Sequence, residues 1–474
     1  MDKNRIDAYF DRPEIRAELI SAIARLVAVK SVKGEPAPGA PFGPGPKAAL
    51  EEALKLCREM GFQAENYHDH VGTVDLNGGD TQLHILGHLD VVPEGSGWKT
   101  DPYTCVEKDG MLYGRGVSDD KGPVCAALMA MKAVRDLGGV AKNVRLILGT
   151  DEESGSADIA YYYAHEPYAP YSFTPDADFP LINIEKGHYH PDFGASWETA
   201  NVLPRVTGMQ GGFRFNVVPP EAQATVAGLA ADAALDGLCR QLEADTGAKF
   251  ECLAEGGNLT ILCHGKNAHA ASPDEGINAI QALLALLAKL PLADCPSTKA
   301  VASMAQLFPF GDNRGKALGI ASSDPESGEL TLNLAIINLT ETGFTAKFDC
   351  RFPLSSNEVN CKLACEASLA RHGMAVTGDG DMTHVHCVPS DSPLVTTLLR
   401  CYSLYTGEAD PKPIAIGGGT YVHDIPGGVA FGCDFPGFDP KMHAADEQAS
   451  VDNLLKAAKI FTQAIFELCG GQAQ

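Results

Sequence analysis

His88 and Asp90 stand two apart at the end of the apolar run 83–86. In an extended chain such residues face the same side. A carboxylate behind an imidazole fixes its tautomer and raises its basicity, as at metal-binding histidines. Alone, the pair is a weak signal and reads first as a polar strand end. Asp119 and Asp120 close Gly114-Arg115-Gly116-Val117-Ser118-Asp119-Asp120, just before an apolar helical stretch. Two acids there would cap a helix and favour its dipole. The glycines around Arg115, however, suggest unusual backbone geometry. Glu152 and Glu153 follow the apolar run 144–148. Adjacent residues point to different sides, so one can bind a metal while the other faces a water. Asp176 precedes another apolar run, and His443 lies far down the chain, before an acidic stretch. Two histidines and several carboxylates at strand ends match a two-metal hydrolytic site, which needs imidazoles, hard oxygen ligands and a bridging carboxylate.

Other chemistries lack their sequence marks. There is no P-loop, no Rossmann GxGxxG, no GxSxG elbow and no HExxH. Lys plus Arg is 37 against 61 Asp plus Glu, a net charge of −24. That argues against nucleic acid or an anionic membrane as the main partner, since binding phosphates needs clustered cations. No apolar run approaches the roughly 18 residues of a membrane helix. No signal peptide is read at the start of the sequence. The 14 cysteines show no CxxC pair and read as reduced, buried thiols of a cytoplasmic protein.

The elements that must position these residues follow from periodicity. Helical spacing predicts helices over 13–29 and 47–60, separated by a Pro- and Gly-rich loop at 34–46. Short apolar strands are expected at 72–76 and 83–86, and a hairpin at Asp109-Gly110. A buried helix at 123–137 and a buried strand at 144–148 complete a crossover unit, which implies a mainly parallel α/β sheet. From about 190 the texture changes: 211–228 and 343–353 alternate like strands, and 277–290 is one clear helix. Helix and strand return near 395, and 452–468 is a closing helix. The chain is therefore read as a catalytic α/β domain with a mixed, mainly parallel sheet, in two parts (1–190 and 386–474). An α+β domain (191–385) is inserted between them.

Taken together, the motifs resemble a known family. His88-Leu89-Asp90-Val91-Val92-Pro93, Gly114-Arg115-Gly116, Gly149-Thr150-Asp151-Glu152-Glu153-Ser154-Gly155 and Pro175-Asp176 occur in order. They resemble the di-zinc aminoacylase and carboxypeptidase-G-like metallopeptidases, peptidase family M20. Glu185-Lys186-Gly187, Asn216-Val217-Val218-Pro219, His269-Ala270-Ala271-Ser272-Pro273 and Gly417-Gly418-Gly419-Thr420-Tyr421 bring it closest to the PepV-type dipeptidases. The resemblance implies a phosphorylase/hydrolase-like catalytic fold and two zinc ions, with manganese or cobalt also suited to the ligands. It assigns His88 and Asp176 to one ion, Glu153 and His443 to the other, and Asp119 as the bridge. Asp90 would orient His88, and the Asp119–Asp120 peptide would be cis. Glu152 would be the general base, the inserted domain would act as a lid, and its His269 would be the donor to the oxyanion. Asn216, Arg351, Gly418, Gly419 and Thr420 would bind a dipeptide. Arg351 would hold the free carboxylate bidentately, and its loss would raise KM with little effect on folding. The lid length implies a monomer.

Some residues depart from the pattern. Val422, His423 and Asp424 follow Tyr421 where an Ala and an Arg are expected, and His188 and His190 are unexpected. An N-acyl amino acid deacylase of the same superfamily shares the metal residues. A metal-dependent binding protein without turnover would need the ligands but not Glu152.

Overall fold

The computed structural model describes residues 1–378 and 380–470. Two compact units emerge. The first holds Met1–Ile184, His386–Ile414 and the chain from Gly419 onward; the second holds Glu185–Val385 and Ala415–Gly418. The break expected at 190 lies six residues inside the second unit. Sheet hydrogen bonding is the reason: Gly187–Tyr189 pairs with the strand Gly343–Phe352, placing His188 opposite Arg351.

The first unit is built on a mixed sheet. Its parallel centre runs Asn143–Gly149, Thr81–His88, Tyr171–Thr174, Val429–Ala430. An antiparallel hairpin, Gln63–Tyr67 with Val71–Asp75, extends one edge. The two strands beside each other at the centre show why the sequence reads as buried runs. Leu83, Ile85, Val144, Leu146 and Leu148 enter one core cluster, while Leu86 and Ile147 enter another. Period-two alternation sends side chains to both faces, and both faces are covered. Helices Lys121–Asp136 and Val451–Cys469 contribute buried residues to the first cluster; Ala157–Tyr163 supplies Ile159 and Tyr162 to the second. The helix expected from 47 starts earlier, at Pro44. Proline fits a first turn because its missing N–H has no helical partner there. Among the described residues no helix is long and apolar enough to cross a membrane.

The second unit carries a largely antiparallel sheet. Its order is Lys249–Glu255, Asn258–His264, Glu221–Ala227, Arg205–Gly211, Thr331–Thr340, Gly343–Phe352, Asp192–Ser196, Ala375–Val376. Residues 211–228 are not strand throughout. Gly212 takes a positive φ of 76° and prolines 219 and 220 remove donors, so 212–220 is a loop between two strands. Helices Ala233–Thr246 and Pro296–Leu307 were not legible as such beside Ala279–Leu287.

Candidate metal centre

The strand Thr81–His88 delivers His88 at its end, fully buried. Its Nδ1 lies 2.9 Å from the Asp90 backbone carbonyl and 3.5 Å from that residue's carboxylate. Its Nε2 meets Asp119 Oδ1 at 2.9 Å and Asp176 Oδ2 at 3.5 Å. The other oxygen of Asp119 lies 2.9 Å from His443 Nε2, which is 3.3 Å from Glu153 Oε2. Thus His88, Asp119 and Asp176 form one group of potential ligands and Asp119, Glu153 and His443 a second, with Asp119 common to both. These are the five residues named for metal from the sequence. The Asp119–Asp120 peptide is cis, and His443 has a left-handed backbone, φ 62°.

The electrostatics fit a cation. Burial disfavours a charged His88, but hydrogen bonds with Asp119, Asp176 and Asp90 outweigh it and hold its pKa well above the usual value. Hydrogen bonds to Asp119 and Glu153 raise His443 to about 11. Burial and the charge of Asp119 push Asp176 and Glu153 up. Protons on the two imidazoles thus balance a surplus of buried carboxylate, and a metal ion would balance it in their place. Glu153 Oε1 is moreover buried with no hydrogen-bond partner. An acceptor in that state is costly unless something else satisfies it.

Glu152 stands apart from both ligand groups. Burial raises its pKa well above the usual carboxylate range, His88 opposes the rise, and the nearby carboxylates Asp176, Glu153 and Asp119 add to it. A carboxylate tuned upward near a metal site suits proton transfer. Its backbone N–H and that of Glu153 each donate to Asp90, at 3.1 Å to Oδ1 and Oδ2. Asp90 therefore does more than orient His88: its carboxylate also fixes the turn of Glu152 and Glu153.

Glu447 was missed. Buried, it accepts from the N–H groups of Gly116, Ser118 and Asp119 at 3.0, 2.9 and 3.2 Å, and pairs with Arg115 at 2.7 Å. It shapes the loop that presents Asp119. The unusual geometry expected beside Arg115 is at Gly116, φ 90°, where a Cβ would crowd Lys121. The acidic stretch after His443 was the signal, but nothing local says which acid turns inward.

The remaining candidates divide between the units. Gly419 and Thr420 belong to the first, where Thr420 caps the short helix Tyr421–Asp424 that includes His423. Asn216, His269, Arg351 and Gly418 belong to the second. There the Asn216 carbonyl accepts from Ala270 N–H at 2.9 Å, bringing the Asn216 and His269 segments together. His269 Nδ1 accepts from Ala271 N–H at 3.2 Å, so a neutral ring carries its proton on Nε2.

Arg351 is engaged within its own unit. Nε and Nη2 already grip Asp349 at 2.7 and 2.8 Å, while Nη1 donates to Gly417 O at 2.7 Å and contacts His188 Nε2 at 3.1 Å. His190 also meets Asp349, at 2.9 Å. Asp349 thus takes the Nε side of the fork and Gly417 one N–H of Nη1; one N–H remains on Nη2, and a second on Nη1 when His188 Nε2 donates to Gly417 O, 3.1 Å away, instead of accepting. The charge is consumed internally because Asp349 is fully buried and needs a partner. Loss of Arg351 would leave that carboxylate with His190 alone, so Arg351→Ala is expected to cost about 3 kcal/mol of stability. Denaturant unfolding checks this; an unchanged midpoint would show the ion pair to be dispensable.

The chain matches peptidase family M20/M25/M40 over residues 84–467. It is 35% identical over 459 residues to YtjP of Bacillus subtilis (strain 168), covering 96% of this chain and 97% of that protein. It is 31% identical over 434 residues to the Beta-Ala-Xaa dipeptidase of Lactobacillus delbrueckii subsp. lactis, covering 90% of each. Among solved structures, the di-peptidase Dug1p from Saccharomyces cerevisiae shares the fold at TM-score 0.57 and 12% identity, covering 100% of this chain and 99% of that one.

Proposed function

The chain belongs to peptidase family M20/M25/M40, and from that premise we propose that it is a metal-dependent dipeptidase that hydrolyses the peptide bond of a dipeptide with Glu152 as general base. The observation that carries this is the arrangement of one carboxylate, Asp119, shared by two ligand groups with a non-ligating Glu152 beside them. Similarity to a Beta-Ala-Xaa dipeptidase over 90% of each chain supports a dipeptide as the substrate.

We assign His88 and Asp176 to one zinc ion, Glu153 and His443 to a second, and Asp119 to both. When bound, such ions supply Lewis acidity to the scissile carbonyl and to the attacking water. Glu152 takes the proton of that water and passes it to the leaving amine. Asp90 holds the Glu152 N–H and so keeps the base in place. His269 is assigned as the Nε2–H donor to the developing oxyanion. Asn216, Gly418, Gly419 and Thr420 are assigned to the substrate main chain, and Arg351 to its free carboxylate through the N–H groups that Asp349 and Gly417 leave.

The test is amine release from a dipeptide panel beside acetyl- and succinyl-amino acids. Turnover of dipeptides is expected. Turnover of the acyl-amino acids alone would replace the reading with a deacylase, and no turnover by fully metallated protein would replace it with a binding protein. Dialysis against a chelator is expected to abolish activity and lower the melting temperature, because a ligand bound only by the folded state stabilises it. Added zinc should restore both; a melting temperature indifferent to chelator and zinc would contradict the metal assignment.

A further inference from the structure

We infer that Tyr421 is a positioning residue for the turn that carries Glu152 and Glu153, acting through the buried carboxylate of Asp158. The inference rests on the reading of Glu152 as general base.

The strand Asn143–Gly149 ends at Gly149, and the chain then turns through Thr150, Asp151, Glu152 and Glu153. Backbone N–H groups leaving a sheet need acceptors when they are buried. Here four consecutive N–H groups are met by two carboxylates. Glu152 and Glu153 donate to Asp90, at 3.1 Å each. Thr150 and Asp151 donate to Asp158 Oδ2, at 2.5 and 3.0 Å. Asp158 comes from the first turn of the helix Ala157–Tyr163 and is fully buried. The turn is thus gripped from two sides, by acids from two different elements.

What orients each acid differs. Asp90 faces His88. Asp158 Oδ2 accepts a third hydrogen bond, from the Tyr421 hydroxyl at 2.6 Å. Tyr421 lies in an apolar cluster with Val71, Leu86, Ile147, Ile159, Tyr162 and Ile425. Its ring fills that cluster, and a phenylalanine would fill it as well. The hydroxyl has no packing purpose, and it points at the acid that holds the turn. Space is tight enough to fix the arrangement: a Cβ on Gly149 would strike the Tyr421 hydroxyl oxygen. Tyr421 touches neither Glu152 nor Glu153 by hydrogen bond, so it acts through Asp158 and the backbone.

The experiment uses the full-length, metal-loaded protein and the variants Tyr421→Phe, Asp158→Asn and the double variant. Amide hydrogen exchange at Thr150 and Asp151 is read beside kcat, KM and bound metal. In Tyr421→Phe we expect faster exchange at both amides and a kcat lower by about tenfold, since small misplacements of a catalytic group cost that much or more. KM and metal content should stay near those of the unmodified protein. Asp158→Asn should lose about a hundredfold, and the double variant no more than Asp158→Asn, because residues acting as one unit are not additive. Unchanged exchange or unchanged kcat in Tyr421→Phe overturns the inference, as do losses that multiply in the double variant. If Asp158→Asn does not fold, Tyr421→Phe decides alone. Absence of dipeptide turnover by the unmodified protein would defeat the dipeptidase reading instead, and the exchange rates would then decide whether Tyr421 holds the turn.

Discussion

Replacing Glu152 by Gln lowers kcat by about a thousandfold, within the range that removing a general acid or base produces, while KM and bound metal stay nearly unchanged. The amide has the size of the carboxylate but cannot take a proton from water. The substitution leaves the turn intact, because the Glu152 N–H is held by Asp90 through the backbone. It leaves the ligand set intact, because Glu152 belongs to neither ligand group. A loss in kcat with constant metal content therefore isolates proton transfer from metal binding. Steady-state kinetics beside elemental analysis of the purified variant make the measurement. Turnover at the level of the unmodified protein would remove Glu152 from the mechanism, and a parallel loss of metal would make it a ligand.

Changing Asp119 to Asn should have the larger effect on metal. Both of its oxygens are engaged, Oδ1 2.9 Å from His88 and Oδ2 2.9 Å from His443. Removing the charge weakens both ligand groups at once, whereas Asp176→Asn weakens only the group of His88. We expect Asp119→Asn to lose most of its metal from both sites and about a thousandfold or more in activity, the scale of stabilisation that metal catalysis supplies. Asp176→Asn should retain metal at the second site. Metal titration of the two variants, with circular dichroism to verify folding, distinguishes them. Equal, undiminished metal binding in both would show that Asp119 is not shared. Metal uptake should also weaken as pH falls, since His88 and His443 are held protonated by their acid neighbours and must release those protons to coordinate.

The candidate carboxylates and His88 stood out in the sequence because they lie beside apolar runs where a strand or helix must begin or end; His443, in a loop, did not. That signal is local. The resemblance to a known family extended it to a ligand set and to the cis peptide at Asp119. Arg351 shows the limit. Its type and motif suggested a carboxylate receptor, yet Asp349, two residues away on the same strand, takes its fork. Both residues point to one face at that spacing, so a pair was foreseeable; its burial was not. The break expected at 190 falls at 184 for a similar reason, because three residues, Gly187–Tyr189, are claimed by a strand over 150 positions further on.

By itself the sequence determined the class of chemistry, the parallel α/β centre and the residue types at its strand ends. These depend on hydrophobic period and on which polar groups interrupt it, and neighbouring residues settle both. Only the tertiary structure decided which oxygen of Asp119 meets which imidazole, which N–H groups Asp90, Asp158 and Glu447 hold, and that Tyr421 stands behind Asp158. Those are contacts between residues far apart in the chain, as Tyr421 and Asp158 are, 263 positions apart. Hydrogen bonds and ion pairs act over about 3 Å in space, and nothing in local periodicity encodes which distant groups will come that close.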